Sequence, residues 1–329
     1  MAPEPNNRPS LEYLKEKALK LKREKKYAEA FALFEQLLEL DPQNHFYLSN
    51  MAHIHYLRRN YRQAKTFAQQ AVRYNPQNWF AISILGELAL KNNDYPEAHR
   101  LFEAAYHINP NEMYLINRLA QAYRKCGQIQ AAINLLREAL LKNPDEGSFL
   151  QNLGDLHKSM NKFELARESY QQAIKLNPKN NYAFTQWVSC MEAEKSKDTI
   201  LKEVKKLLSM PSQKDNQFLR SYYGKLLKDL GMVEESTAHL ESAVKADPRN
   251  LYRKTQLAAS YNKQHLFQKT VDLLESDYEN QVTDPYMFYE LALAHLNLGN
   301  KNRAREILIT SLKHYKDNKY LRQLLMRAR

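Results

Sequence analysis

Residues 45–78 read HFYLSNMAHIHYLRRNYRQAKTFAQQAVRYNPQN, and residues 79–112 read WFAISILGELALKNNDYPEAHRLFEAAYHINPNE. Laid over one another, these two 34-residue stretches align Ala52 with Gly86, Ala64 with Ala98, Ala71 with Ala105 and Pro76 with Pro110. The proline marks the period outward: Pro42, Pro76, Pro110, Pro144 and Pro178 are 34 residues apart, and Pro211, Pro248 and Pro285 follow at 33, 37 and 37. Its flanks recur as LDPQN, YNPQN, INPNE, KNPDE, LNPKN and ADPRN. Units therefore start at Leu11, His45, Trp79, Met113, Gly147, Asn181, Gln217, Leu251 and Pro285. A fixed period of this length is the signature of stacked supersecondary units, each too small to bury its own apolar face.

Within a unit the apolar spacing is helical. Ile116, Leu119 and Tyr123, or Leu150, Leu153 and His157, recur three and four apart and so share one helix face. Small residues occupy one point of the first helix (Ala18, Ala52, Gly86, Ala120, Gly154, Gly224, Ala258, Ala292) and two points of the second, including Ala30, Ala64, Ala98, Ala132, Ala166 and Ala304. Missing side chains at fixed phase let helix axes approach to about 8–10 Å. Phe34, Phe102, Leu136, Tyr170, Leu240 and Leu308 fill the space between them. The proline after the second helix cannot continue it and forces the turn into the next unit. Pro96 opens a second helix, where its missing N–H costs nothing.

This pattern resembles the tetratricopeptide-repeat family. The resemblance implies an all-α, right-handed superhelical solenoid of about nine helix pairs over residues 11–316, with a capping helix over 317–329 and a flexible tail over 1–10. The reading divides the solenoid into a regular part (11–180), an irregular unit and break (181–216) and a second part (217–316). The irregular unit places Val188 and Ile200 where small residues belong, clusters charge at EAEKSKD (192–198) and ends in PSQKDN (211–216). A hinge near 192–216 is the expectation. The unit from Leu251 carries Thr270 and Asp277 in place of alanines, which predicts looser packing there.

Composition narrows the function. The net charge is +12, but residues 299–329 hold nine Lys/Arg against Glu306 and Asp317, leaving a nearly neutral body. A nucleic-acid binder carries a basic stripe along its working face, so nucleic acid is not the expected partner. Cys126 and Cys190 are isolated, which fits neither a disulfide framework nor a zinc site and suits a reducing, cytoplasmic setting. No run approaches the roughly 20 apolar residues of a spanning helix, so no membrane partner is expected either. HExxH, Gly-rich phosphate loops and GxSxG are absent from the sequence, and the phase of His55, His157 and His295 is that of core residues. The expectation is a protein that is not an enzyme and needs no cofactor or metal.

The family resemblance implies a concave face, lined by first helices, that holds a peptide or a partner protein. Two residues before each small site stand Asn50, Ile84, Arg118, Asn152, Gln186, Tyr222, Gln256 and Glu290. The triplet Asn152–Gly154 resembles the asparagine ladder of the O-GlcNAc transferase superhelix, in which amides hold an extended peptide; Ile84, Tyr222 and Glu290 depart from it. Tyr114, Asn117, Gln121, Arg124, Gln151, Asp155 and Lys158 complete the candidate groove set in the most regular stretch. An aromatic series (Phe46, Phe80, Tyr114, Tyr182, Phe218, Tyr252, Tyr286) has two readings, packing between repeats or anchors exposed along the rim. The function expected is an adaptor binding a protein or peptide. The alternatives are a homo-oligomerising module, or an RNA- or membrane-associated subunit acting through the basic C-terminal end.

Overall fold

The computed structural model describes residues 10–193, 195–213 and 216–328. The tail expected over residues 1–10 lies outside these except for Ser10. Nine helix pairs follow one another: α1 (Leu11–Arg23) and α2 (Tyr27–Leu40), α3 (His45–Leu57) and α4 (Tyr61–Tyr74), α5 (Trp79–Lys91) and α6 (Tyr95–Ile108), α7 (Met113–Lys125) and α8 (Ile129–Lys142), α9 (Gly147–Ser159) and α10 (Phe163–Leu176). Then come α11 (Asn181–Glu192) and α12 (Lys197–Leu208), α13 (Gln217–Asp229) and α14 (Val233–Ala246), α15 (Leu251–Lys263) and α16 (Phe267–Glu279), and α17 (Pro285–Asn297) and α18 (Lys301–His314). A single 3-10 turn spans Pro211–Gln213, and α19 (Lys319–Arg327) ends the series. Every first helix begins at the residue the repeat phase predicts.

The chemistry of the repeated loop explains those boundaries. In the PQN, PKN and PRN runs the last Asn is the N-cap of the next helix. Asn78 accepts from the Ala81 amide, Asn180 from Ala183 and Asn250 from Arg253. This satisfies one of the amides that a helix start leaves unpaired. The turn inside each pair has its own device. Lys25, Arg59, Asn93, Gly127, Asn161, Gly231, His265 and Gly299 occupy equivalent places, all with φ between 56 and 84°. The following amide bonds back across the turn, as Asn60 N–H to His55 O (2.8 Å) and Gln128 N–H to Tyr123 O (2.8 Å). That left-handed C-terminal motif favours glycine, yet five of these eight positions carry side chains.

Helices interlock where small meets large. An added Cβ at Gly86 would come within 2.9–3.0 Å of the Phe102 ring, and one at Gly224 within 2.8 Å of Leu240 Cγ. Phe102 and Leu240 are both fully buried. By chain contacts the molecule forms two compact units, one ending at Ser169 and the other starting at Tyr170. The first unit's principal core runs from Ile82 through Phe102, Leu119 and Leu136 to Phe149. The second unit has a core around Leu274, Phe288, Leu291 and Leu308, which Leu321 and Leu324 of α19 help close.

The polar residues at small sites in the second unit do not leave gaps. Ser236 is fully buried and donates to Gly224 O (2.7 Å). Thr270 is also fully buried, and its hydroxyl reaches Ala258 O at 3.3 Å and Asn262 Oδ1 at 2.9 Å. Asp277 takes Lys254 Nζ at 2.6 Å. Each substituted residue thus bonds back to its neighbouring helix, which is how a buried polar group escapes its desolvation cost. At Thr270 the hydroxyl replaces methyl packing with a hydrogen bond, and α15 and α16 stay in less extensive contact than most of the other pairs, as the sequence predicts.

Candidate functional site

In the first unit, the first helices of the fourth and fifth pairs (α7, α9) line a recess of about 350 Å³. Its walls are Tyr114, Asn117, Arg118, Gln121 and Arg124 from α7 and Asn152 from α9, with Ala120 and Leu156 also lining it. The α7 residues recur at three- and four-residue intervals, so the helical period itself puts them on one face. Six of the twelve candidate groove residues meet here. Gln151, Asp155 and Lys158 lie on α9, half-buried, without lining the recess. Asn50 belongs to α3, while Gln186 on α11 and Gln256 on α15 belong to the second unit.

Polar side chains organise the walls. Asn152 Nδ2 donates to Asn117 Oδ1 (2.6 Å), and Asn117 Nδ2 donates to Ser148 Oγ (2.8 Å), so the amides clip α9 to α7. Arg118 is held twice, by Glu87 (Nε to Oε1, 2.6 Å) and by Gln121 (Nη1 to Oε1, 2.8 Å). It also lies over the Tyr114 ring at 5.5 Å from the centroid. Glu87, only 8% exposed, accepts as well from Tyr114 Oη (2.7 Å) and Tyr56 Oη (3.1 Å). Burial, then the Glu87 charge, raises both phenols, Tyr56 to about 12 and Tyr114 further. Arg124 has neither an ion pair nor a hydrogen bond to its guanidinium among the described residues. The recess therefore offers one free cation, one tethered cation and amide groups to a guest.

Glu87 is the residue that repeat reading passed over. The signal was present: it is the one acid in the apolar run Trp79–Leu90, and a carboxylate in such a run needs partners to be retained.

Two ladder expectations require correction. Asn50 is 2% exposed, donates to Phe46 O (2.9 Å) and accepts from Lys22 Nζ (2.5 Å). Gln256 accepts from Lys228 Nζ (2.8 Å). In both cases the twelfth residue of one first helix reaches the sixth residue of the next. Asn262 with Glu290 and Tyr222 with Glu192 repeat that geometry. The ladder residues at these places clip neighbouring repeats and leave no continuous row of free amides. The aromatic series divides between its two readings. Phe46, Phe80 and Tyr114 in the first unit are half-buried under Lys15, Lys22 and Arg118, whereas Tyr182, Tyr252 and Tyr286 in the second are 47, 53 and 73% exposed.

Lys22 is costly to bury. Desolvation draws its amine down to about 8, and His53 beside Phe80 falls to about 4 through burial and the Lys22 charge. The unfolded chain keeps the Lys22 proton up to its ordinary value of 10.5. Between about pH 8 and pH 10.5 the unfolded state therefore binds more protons, and stability rises with pH. Lys22→Met should accordingly be more stable than wild type at pH 7 by about 1 kcal/mol, the advantage shrinking toward pH 10. Thermal melts at pH 7 and pH 9.5 check this; an unchanged gap would exclude Lys22 as its source.

The tetratricopeptide-repeat family profiles match residues 21–84, 89–153 and 148–180. Over these residues the chain is built of tetratricopeptide repeats. No curated protein matches it by sequence. Among solved structures, PilF of Pseudomonas aeruginosa is 14% identical, with a TM-score of 0.52 over 63% of this chain and 96% of that one. A thermophilic tetratricopeptide-repeat protein of Thermus thermophilus is 20% identical, covering 56% of this chain and 100% of its own at a TM-score of 0.47. The human IFIT1 dimer with m7Gppp-AAAA is 20% identical over 94% of this chain and 73% of that one, at 0.48. At such identity the PilF likeness concerns the fold: an all-α superhelical repeat. A tetratricopeptide-repeat protein is, in general terms, a scaffold for interactions between proteins. Among the described residues no helix is long and apolar enough to cross a membrane, and no group of three or more His, Cys, Asp or Glu could hold a metal ion.

Proposed function

We propose that this tetratricopeptide-repeat protein acts as a non-enzymatic adaptor, holding an extended, acidic peptide segment of a partner protein in the recess between α7 and α9. The observation that carries the reading is the unpaired Arg124 guanidinium beside Arg118 and the Asn117–Asn152 amide pair. A guanidinium suits a carboxylate, with charge-assisted bonds stronger than neutral ones. An amide offers the donor and acceptor that an extended backbone needs. The recess is open and polar, so it fits a chain laid across it better than an apolar helix docked into it.

Peptides selected from a random library against the full chain should be enriched in Asp and Glu. Fluorescence polarisation with a selected peptide should show at least tenfold weaker binding for Arg124→Ala, at unchanged melting temperature, since Arg124 supports nothing else. Asn152→Ala should weaken binding as well. Affinities within twofold of wild type for both variants would remove the recess from the function.

A further inference from the structure

The basic excess near the C-terminal end is built into one helix face. Along α18, Lys301, Arg305, Ile309 and Lys313 are spaced by four and all exposed, while Ala304, Ile307, Leu308 and Ser311 face the core. Residues four apart lie one above the other on a helix, so these form a single outward line about 18 Å long at 1.5 Å per residue. The acids nearby are already taken. Glu306 is held by Arg303 (2.8 Å), Asp317 by Arg322 (3.3 Å), and Glu275 by both Arg303 (2.6 Å) and His295 (2.9 Å). α18 packs against α17 and α19 and also meets α16, where Asp277 is held by Lys254 and Glu279 lines a recess with Arg303, Thr310 and His314. α17 and α19 themselves bring a single acid, Glu290, which engages Asn262. Lys301, Arg305, Lys313 and the following Lys316 make no ion pair among the described residues.

Two features of this line bear on its partner. The cations are exposed and without an ion pair among the described residues, which suits an anionic partner. The line also contains Ile309, 49% exposed between Arg305 and Lys313. A phosphate backbone has no use for that side chain, whereas a bilayer surface takes cations at its headgroups and an aliphatic chain just beneath them. We propose that the outward face of α18 is a docking surface for a membrane rich in anionic lipid, bound reversibly and peripherally, independently of the α7–α9 recess. Each cation near such a surface is worth about 1 kcal/mol, roughly a fivefold effect.

The test is co-sedimentation of the full chain with phosphatidylcholine vesicles that contain or lack phosphatidylserine, at about 0.1 M and about 0.5 M salt. Binding is expected only to the phosphatidylserine vesicles and only at the lower salt. The triple variant Lys301→Gln/Arg305→Gln/Lys313→Gln, exposed throughout and so able to fold, should bind on the order of 100-fold more weakly. Ile309→Ser should weaken vesicle binding several-fold without altering binding of a single-stranded RNA homopolymer. No binding to phosphatidylserine vesicles, or equal binding by the triple variant, overturns the proposal. So does an Ile309→Ser protein with undiminished vesicle binding whose vesicles are displaced by the RNA, which would assign the face to nucleic acid.

Discussion

Phe102→Ala is expected to destabilise the first unit by about 4 kcal/mol, a large part of what a single domain has to lose. The ring is fully buried and lies in the unit's principal core. It also occupies the place that Gly86 leaves empty: a Cβ there would stand 2.9–3.0 Å from the ring. Truncation therefore costs both the transfer free energy of a phenyl group and an unfilled cavity bounded by a glycine. That geometry makes the outcome distinguishable from generic core damage. Adding Gly86→Ala to wild type should be destabilising, because its Cβ has no room beside the ring. Adding it to Phe102→Ala should be neutral or stabilising, because the methyl enters the vacated space and a helix-interior glycine is removed. Urea unfolding of the four proteins, followed by helical circular dichroism, completes the cycle. Additive effects would mean that the two residues do not share one packing site.

The small-to-large packing behind that expectation was legible in the repeats, because a residue that must be small at one phase implies a residue that fills the gap. The helix starts were equally legible. Proline breaks the second helix, and the asparagine two positions along caps the next. Half of the candidate groove set was brought together at the recess for a similar reason: residues three and four apart share a face whatever surrounds them. What the repeat phase could not supply was the partner of each polar side chain. Lys22 and Lys228 each span to the next repeat and donate to the amide oxygen of Asn50 or Gln256. Such contacts depend on how one repeat is rotated against the next, which a periodicity within one helix does not encode. Thr270 shows the same limit from the opposite side. Its hydroxyl looked like a packing fault until the carbonyl of Ala258 and the amide of Asn262 were placed beside it.

Glu87 offers a prediction in which stability and binding move in opposite directions. Its carboxylate joins three elements, accepting from Tyr56 on α3 and from Tyr114 and Arg118 on α7. Glu87→Ala leaves two phenols and a guanidinium without their acceptor and should cost about 3 kcal/mol. Glu87→Gln keeps an acceptor for the phenols but loses the ion pair, and should cost roughly half as much. The same carboxylate also competes with any acidic guest for Arg118, since Arg118 Nε is committed to it at 2.6 Å. In Glu87→Gln that commitment weakens, so an acidic peptide should bind several-fold more tightly even as the fold becomes less stable. In Arg118→Ala the competitor survives and the cation does not, so binding should fall. Urea melts and fluorescence polarisation on the same protein preparations measure both quantities. If Glu87→Gln lowers affinity in step with stability, Glu87 is a structural strut alone and Arg118 is not a binding group. If affinity rises while stability falls, the fold holds Arg118 on a tether that an acidic ligand takes over.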